Sequence, residues 1–248
     1  LMPLAVPAYV GAYALVDFLE YAGPVQTLLR DVTGWQSAQD YWFPAIRTRS
    51  AAVLVLSASL YPYVYILARA AFREQSSAGY DVARALGVGA IGRFWRVGLP
   101  LARPAIAAGV AVVMMETVND FGTVDYFAVQ TLTTGIFSVW LQSGNLGGAA
   151  QIATSVLLLV VLLVTLEKFS RRKSRFFGTA RGPRPIEGQQ LRGALAWLAT
   201  LACVLPFALG FLLPVGVLLE HATDAREWAA PGLLRALMHS LGVGGIAA

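Results

Sequence analysis

Few side chains in this 248-residue chain are spaced for chemistry. Glu116, Asn119 and Asp120 close an apolar run, and no Lys or Arg follows them until Lys168. Carboxylates four residues apart share one face of a continuing helix. In that register Glu116 and Asp120, with Asn119 beside them, form an oxygen-rich mouth for a hard cation. The plainer alternative is a helix end at a water interface, where polar residues collect. His221 and His239 stand alone, and Cys203 is the chain's single cysteine, inside an apolar run. No His, Cys, Asp or Glu cluster has metal-ligand spacing, so no metal site is expected. Gly87-Val88-Gly89 and Gly147-Gly148 lack the Lys-Ser/Thr that completes a phosphate loop. No nucleophile–base pair stands out. The pattern is not that of an enzyme, and this chain is expected to bind no cofactor.

Positive charge is the other concentrated feature. Between Glu74 and Pro104, Arg84, Arg93, Arg96 and Arg103, with Arg73 at the edge, stand against only Glu74 and Asp81. Two short amphipathic helices are legible there. The first carries Val82, Ala83 and Leu86 and reaches Gly87, a natural helix stop. Asp81 is expected early in it, where a carboxylate suits the positive dipole end. The second carries Ile91, Phe94 and Trp95 on one face, with Arg93 and Arg96 turned away. Leu99-Pro100 is expected to end the pattern, since proline has no N–H to donate. A helix–turn–helix of this kind is either a loop held by charge or a docking element for a soluble partner.

The elements that must carry these residues are membrane spans. Hydrophobic residues make up 57% of the chain and charged residues 13%, against about 25% in soluble domains. Six apolar segments are read, at 1–16, 50–68, 104–115, 147–166, 193–219 and 232–248, against the ~20 residues that cross a bilayer. The fold class is an all-α membrane bundle. The loop 74–104, the basic linker 171–192 and their flanks hold fourteen of the nineteen Lys and Arg residues. The positive-inside rule puts both in the cytoplasm, and the six segments then alternate without exception. That alternation fits attraction to anionic lipid, not a nucleic-acid patch.

The loop resembles the EAA loop of ABC importer permeases. That motif runs Glu-Ala-Ala, three residues, Gly, nine residues, Ile, one residue, Leu-Pro. Here Asp81-Val82-Ala83, Gly87, Val97 and Leu99-Pro100 keep the spacing. Asp replaces Glu, and Val replaces one Ala and the Ile. The resemblance extends to the ferric-iron branch of these permeases. It is carried by Pro3 to Tyr9, Tyr21-Ala22-Gly23-Pro24, Leu99 to Ile106, Met115-Glu116-Thr117, Asp120 to Val124, Tyr126-Phe127 and Thr133 to Phe137. It covers most of residues 1–175 and is weaker beyond.

What the resemblance implies is a polytopic bundle in the bacterial inner membrane. Residues 1–170 would form a first permease repeat, incomplete at its start. The linker 171–192 follows, and 193–248 would open a second, truncated repeat. ATP-binding subunits, as a pair, would dock on Asp81, Val82, Ala83, Gly87, Val97, Leu99 and Pro100, and ATP would be used there. An external binding protein would deliver ferric iron. Thiamine or phosphonate import is the alternative within the class. An ion-driven secondary transporter or a membrane-embedded lipid enzyme are the alternatives outside it. The docking loop argues against the first, and the lack of a carboxylate or histidine cluster at a cytoplasmic helix end against the second.

Overall fold

Proline, glycine and length decide where this apolar chain breaks. In the computed structural model, which describes residues 1–172, 191–223 and 232–247, almost every element is a helix. Residues Met2–Ala5 make one 3-10 turn. Val6 is extended, as the residue before Pro7 must be, and α1 then runs Ala8–Leu19. The loop expected from Asp17 to Arg49 holds an unforeseen amphipathic helix, α2 (Pro24–Thr33). Pro24 starts it and left-handed Gly34 stops it. Thr48 caps α3 (Arg49–Arg73), its hydroxyl accepting from the Ala51 N–H.

Next come α4 (Ser77–Ala85), α5 (Ala90–Arg93) and α6 (Leu99–Asn119). The far end of α6 leads to α7 (Gly122–Tyr126) and α8 (Leu132–Phe137). The long α9 is Leu146–Arg172. Beyond the linker lie α10 (Ala194–Phe207), α11 (Leu213–Ala222) and α12 (Leu233–Ala247). Most of the basic linker, residues 173–190, lies outside the described residues.

Four described helices are long and apolar enough to cross a membrane: Arg49–Arg73, Ala90–Asn119, Leu146–Phe169 and Ala194–Ala222. The outer two of the six expected segments are shorter. The first is split by Pro7 and leaves the twelve-residue α1, and the last gives the fifteen-residue α12.

The expected break at Leu99-Pro100 does not occur, and the third span begins at Ala90 rather than Pro104. Phe94–Gly98 is a π-helical stretch in which the Leu99 N–H reaches back five residues to the Phe94 carbonyl. Proline cannot donate to a preceding carbonyl, and its ring crowds the turn behind it. Widening that turn by one residue relieves the crowding and keeps the helix whole. The same device recurs at Ala208–Leu212, where the Leu213 N–H bonds the Ala208 carbonyl just before Pro214. Both prolines follow a leucine at the end of a π stretch.

The α3–α6 pair is the most extensive packing in the bundle. It closes at Gly109, where a Cβ would lie 2.7 Å from Val64 Cα and 3.3 Å from the Tyr63 carbonyl oxygen. Small residues at such crossings let backbones meet and maximise dispersion contact, the main attraction left in lipid. α9 lies along α6 and is covered at one end by α8. α1 packs on α3, α7 and α11, around a core of Ala12, Leu15, Val16, Ala52, Val55 and Phe127. Gly210, before α11, is pressed against the Ala58 carbonyl of α3. On α9, Leu157, Leu158, Val161 and Leu162 are exposed, as lipid-facing side chains are.

Candidate functional site

The loop between α3 and α6 forms the first of the two short helices its residues call for, while the second is the start of the third span, continuous with α6. Ser76 caps α4 by accepting from the Ala78 N–H. Because Ser76 takes that position, Asp81 falls mid-helix, the fifth of nine residues, and not near the dipole end as expected. The helix stops at Gly87, whose φ is +77°. The Gly87 N–H bonds the Arg84 carbonyl and the Val88 N–H bonds the Ala83 carbonyl, both at 3.0 Å. This is the Schellman arrangement, which satisfies the last carbonyls of the helix. Gly89 then precedes α5, and Arg93 folds back so that its guanidinium donates to the Val88 carbonyl at 3.1 Å.

One surface of the pair has no cover among the described residues. Val82, Leu86, Ile91 and Trp95 are 61–77% exposed, and Phe94 is 43% exposed. Arg84 and Arg96, on the same two stretches, are exposed, as are Asp81 and, further along the span, Arg103. Of the other motif residues, Gly87 is exposed, while Ala83, Val97, Leu99 and Pro100 are half-buried. Val97 serves packing: a Cβ at Gly79 of α4 would sit 3.3 Å from its Cγ1. So the motif splits into an outward part that can meet a partner and an inward part that seats α4 on the start of the span.

Two residues that sequence reasoning missed complete the seat. Gln75 is only 7% exposed. Its Nε2 donates to the Gly98 carbonyl at 2.9 Å, and its Oε1 accepts from the Tyr80 hydroxyl at 2.8 Å. Gly98 is buried, and a Cβ there would collide with the Tyr80 hydroxyl and lie 3.3 Å from Phe72 Cε1. Burial pushes the Tyr80 phenol up from its ordinary value. No helical spacing rule pairs residues 75, 80 and 98, so the sequence carried no signal beyond the glycine itself.

The carboxylate pair at the other end of α6 is not a pair. The helix ends at Asn119, and Asp120 has extended backbone at ψ 130°. Its Oδ1 accepts from the Thr123 and Val124 N–H groups at 3.0 and 3.1 Å, and its Oδ2 from the Thr123 hydroxyl at 3.0 Å. The Thr133 hydroxyl bonds its carbonyl at 2.8 Å. Asp120 therefore holds α7 and α8 at the end of the span, and the shared face expected with Glu116 is not formed. Glu116 and Asn119 are exposed. A cleft of about 380 Å³ near α2 is lined by Glu20, Tyr21, Gln26, Tyr41 and Trp42 among others, and by none of these three. At the same end His221 has partners: its Nε2 is 3.1 Å from Asp17 Oδ2 and 3.2 Å from the Tyr13 hydroxyl. No three metal-binding side chains cluster among the described residues.

The family model described as binding-protein-dependent transport system inner membrane component matches residues 1–175. The chain belongs to that family. The inner-membrane component is a multi-pass transport permease of the ABC importer class, in keeping with the four long apolar helices among the described residues. It is similar to the Fe(3+)-transport system permease protein FbpB 2 of Haemophilus influenzae, at 26% identity over 184 residues. That match covers 70% of this chain and 36% of the relative. It is also similar to the spermidine/putrescine transport system permease protein PotB of the same organism, at 29% identity over 168 residues. That match covers 66% of this chain and 57% of the relative. The chain thus spans between about a third and somewhat over half of the curated relatives it matches.

Proposed function

We propose that this permease passes ferric iron, delivered by an external binding protein, and that paired ATP-binding subunits dock on the α4–α5 loop. The observation that carries the docking reading is the uncovered stripe of Val82, Leu86, Ile91 and Trp95 among exposed arginines. An exposed apolar patch rimmed by charge is the usual mark of a protein contact. The excess of Lys and Arg around this loop and the linker puts both on the cytoplasmic side. ATP is hydrolysed in the partner subunits. Their closure displaces the loop, and the spans rock between outward-open and inward-open states. In this reading residues 1–170 are a first permease repeat, and 193–248 begin a second.

The solute assignment rests on the similarity to the Fe(3+) permease. A second reading, polyamine import, is favoured by the similarity to PotB. Both solutes are cations, so exposed Glu116 at the far end of α6 would raise local solute concentration in either case. The test is ATP-dependent uptake by the full-length permease with its ATP-binding subunits and binding protein. Labelled ferric iron is offered in one arm and labelled spermidine in the other. Uptake of iron alone supports the first reading, and uptake of spermidine alone replaces it with the second. Failure of any ATP-binding subunit to copurify with the permease would overturn the docking assignment.

A further inference from the structure

We propose that Gln75 and Tyr80 are positioning residues: their hydrogen bonds to each other and to Gly98 make the docking loop move as one body with α6. This rests on the docking role proposed above and names the link that the role requires.

Consider how α4 is held. Its outward face is uncovered at Val82 and Leu86. Its C-terminal connection is Leu86 to Gly89, with a left-handed Gly87, and a Cβ at either glycine would meet nothing within 4 Å. Two glycines in open space do not transmit a push. On its inner side α4 is held to the start of α6 by one strip. Gly79 sits on Val97, the Tyr80 hydroxyl donates to Gln75, and Gln75 donates to the Gly98 carbonyl. Phe72 at the end of α3 stacks on Phe94 beside it, with ring centroids 5.8 Å apart.

The strip lands on a particular place. Val97 and Gly98 end the π stretch that lets the span run continuously from Ala90 to Asn119. A displacement of α4 delivered there reaches a helix that is in backbone contact with α3 at Gly109. Gln75 and Gly98 are buried, Tyr80 is half-buried, and Gln75 is bonded through both its amide groups, so the clamp favours one arrangement. Breaking one member leaves a buried polar atom unpaired and releases α4 to its glycine hinge. The side chains that face a partner, Val82, Leu86, Ile91 and Trp95, take no part in the clamp. Docking and transmission are therefore separable by mutation.

The experiment uses the full-length permease with its ATP-binding subunits and ferric-loaded binding protein in proteoliposomes, on a cysteine-free background that includes Cys203→Ser. Spin labels at Ala78→Cys on α4, which is exposed and outside the docking stripe, and Val110→Cys on α6 report the distance between the two helices, with and without vanadate-trapped nucleotide. Wild type is expected to give one narrow distance that is the same in both states. Tyr80→Phe removes a single oxygen, Gln75→Leu removes both bonds, and Gly98→Ala expels the tyrosine by collision. Each is expected to broaden that distance, to leave ATP-binding subunits copurifying, and to lower solute uptake per ATP hydrolysed by about tenfold, the scale expected for a buried polar atom left unpaired. Equal distances and equal uptake per ATP in wild type and variants would overturn the clamp. Loss of copurification from the wild type itself would overturn the docking reading instead, and the nucleotide-free distance comparison would still decide the clamp.

Discussion

Replacing Gly87 tests the loop's helix stop against a matched control two residues away. Gly87 has φ +77° and Gly89 has φ −64°, and a Cβ at either would meet nothing within 4 Å. Added volume is therefore free at both positions, and only backbone conformation differs. An L-residue in the left-handed region costs about 1–2 kcal/mol, more for a β-branched one. The native alternative is to abandon the turn, which gives up the Gly87 and Val88 N–H bonds to Arg84 and Ala83, each worth ~1 kcal/mol. The two costs are of one size, so Gly87→Ala should populate the opened turn strongly. A penalty of one to two kcal/mol corresponds to roughly a 5- to 30-fold change in population. Helices this short are marginal by themselves, so the last turn of α4 should fray rather than stay strained. The assay is amide hydrogen exchange in detergent. Protection at Gly87 and Val88 should fall by that factor in Gly87→Ala and further in Gly87→Val, and stay unchanged in Gly89→Ala. The spans should remain inserted, while copurification of the ATP-binding subunit weakens in the Gly87 variants alone. Equal exchange in Gly87→Ala and Gly89→Ala would refute the conformational reasoning.

Asp81→Lys changes an exposed mid-helix charge, so α4 should keep its exchange protection while ATP-binding subunit copurification falls; unchanged copurification would remove Asp81 from the docking surface. Gly109→Ala drives a Cβ to 2.7 Å from Val64 Cα, so α3 and α6 must part, at about 1–3 kcal/mol. Thermal unfolding should show this loss, with Gly216→Ala, a mid-helix glycine where a Cβ meets nothing within 4 Å, as the control that shows the gain in helix propensity alone. Asp120→Ala removes the acceptor of two N–H groups in the first turn of α7 and should cost ~0.5–2 kcal/mol of stability, measured the same way. Glu116→Gln should leave stability unchanged and lower cation uptake; uptake equal to wild type would return Glu116 to the role of a polar helix end.

What the sequence alone determined follows from local rules and composition. Apolar content and run length required membrane helices, because backbone groups in lipid must bond within the segment. The position of Gly87 announced a helix stop, since a glycine there acts on its own turn, whereas the caps at Thr48 and Ser76 emerged only in the structure. The spacing from Asp81 to Pro100 carried the family resemblance. The tertiary structure decided the rest. Pro100 does not end a helix, because a π stretch of five residues absorbs it. Asp120 does not share a face with Glu116, because Thr123 and Val124 offer it a better set of donors once the chain turns. Gln75, Tyr80 and Gly98 meet only when α4 folds back onto the start of α6. His221 finds Asp17 across 204 residues of chain, through the packing of α11 on α1. Periodicity reports which residues share a face of one element. It carries nothing about which faces of different elements meet, and that is settled by close approaches such as Gly109 on Val64.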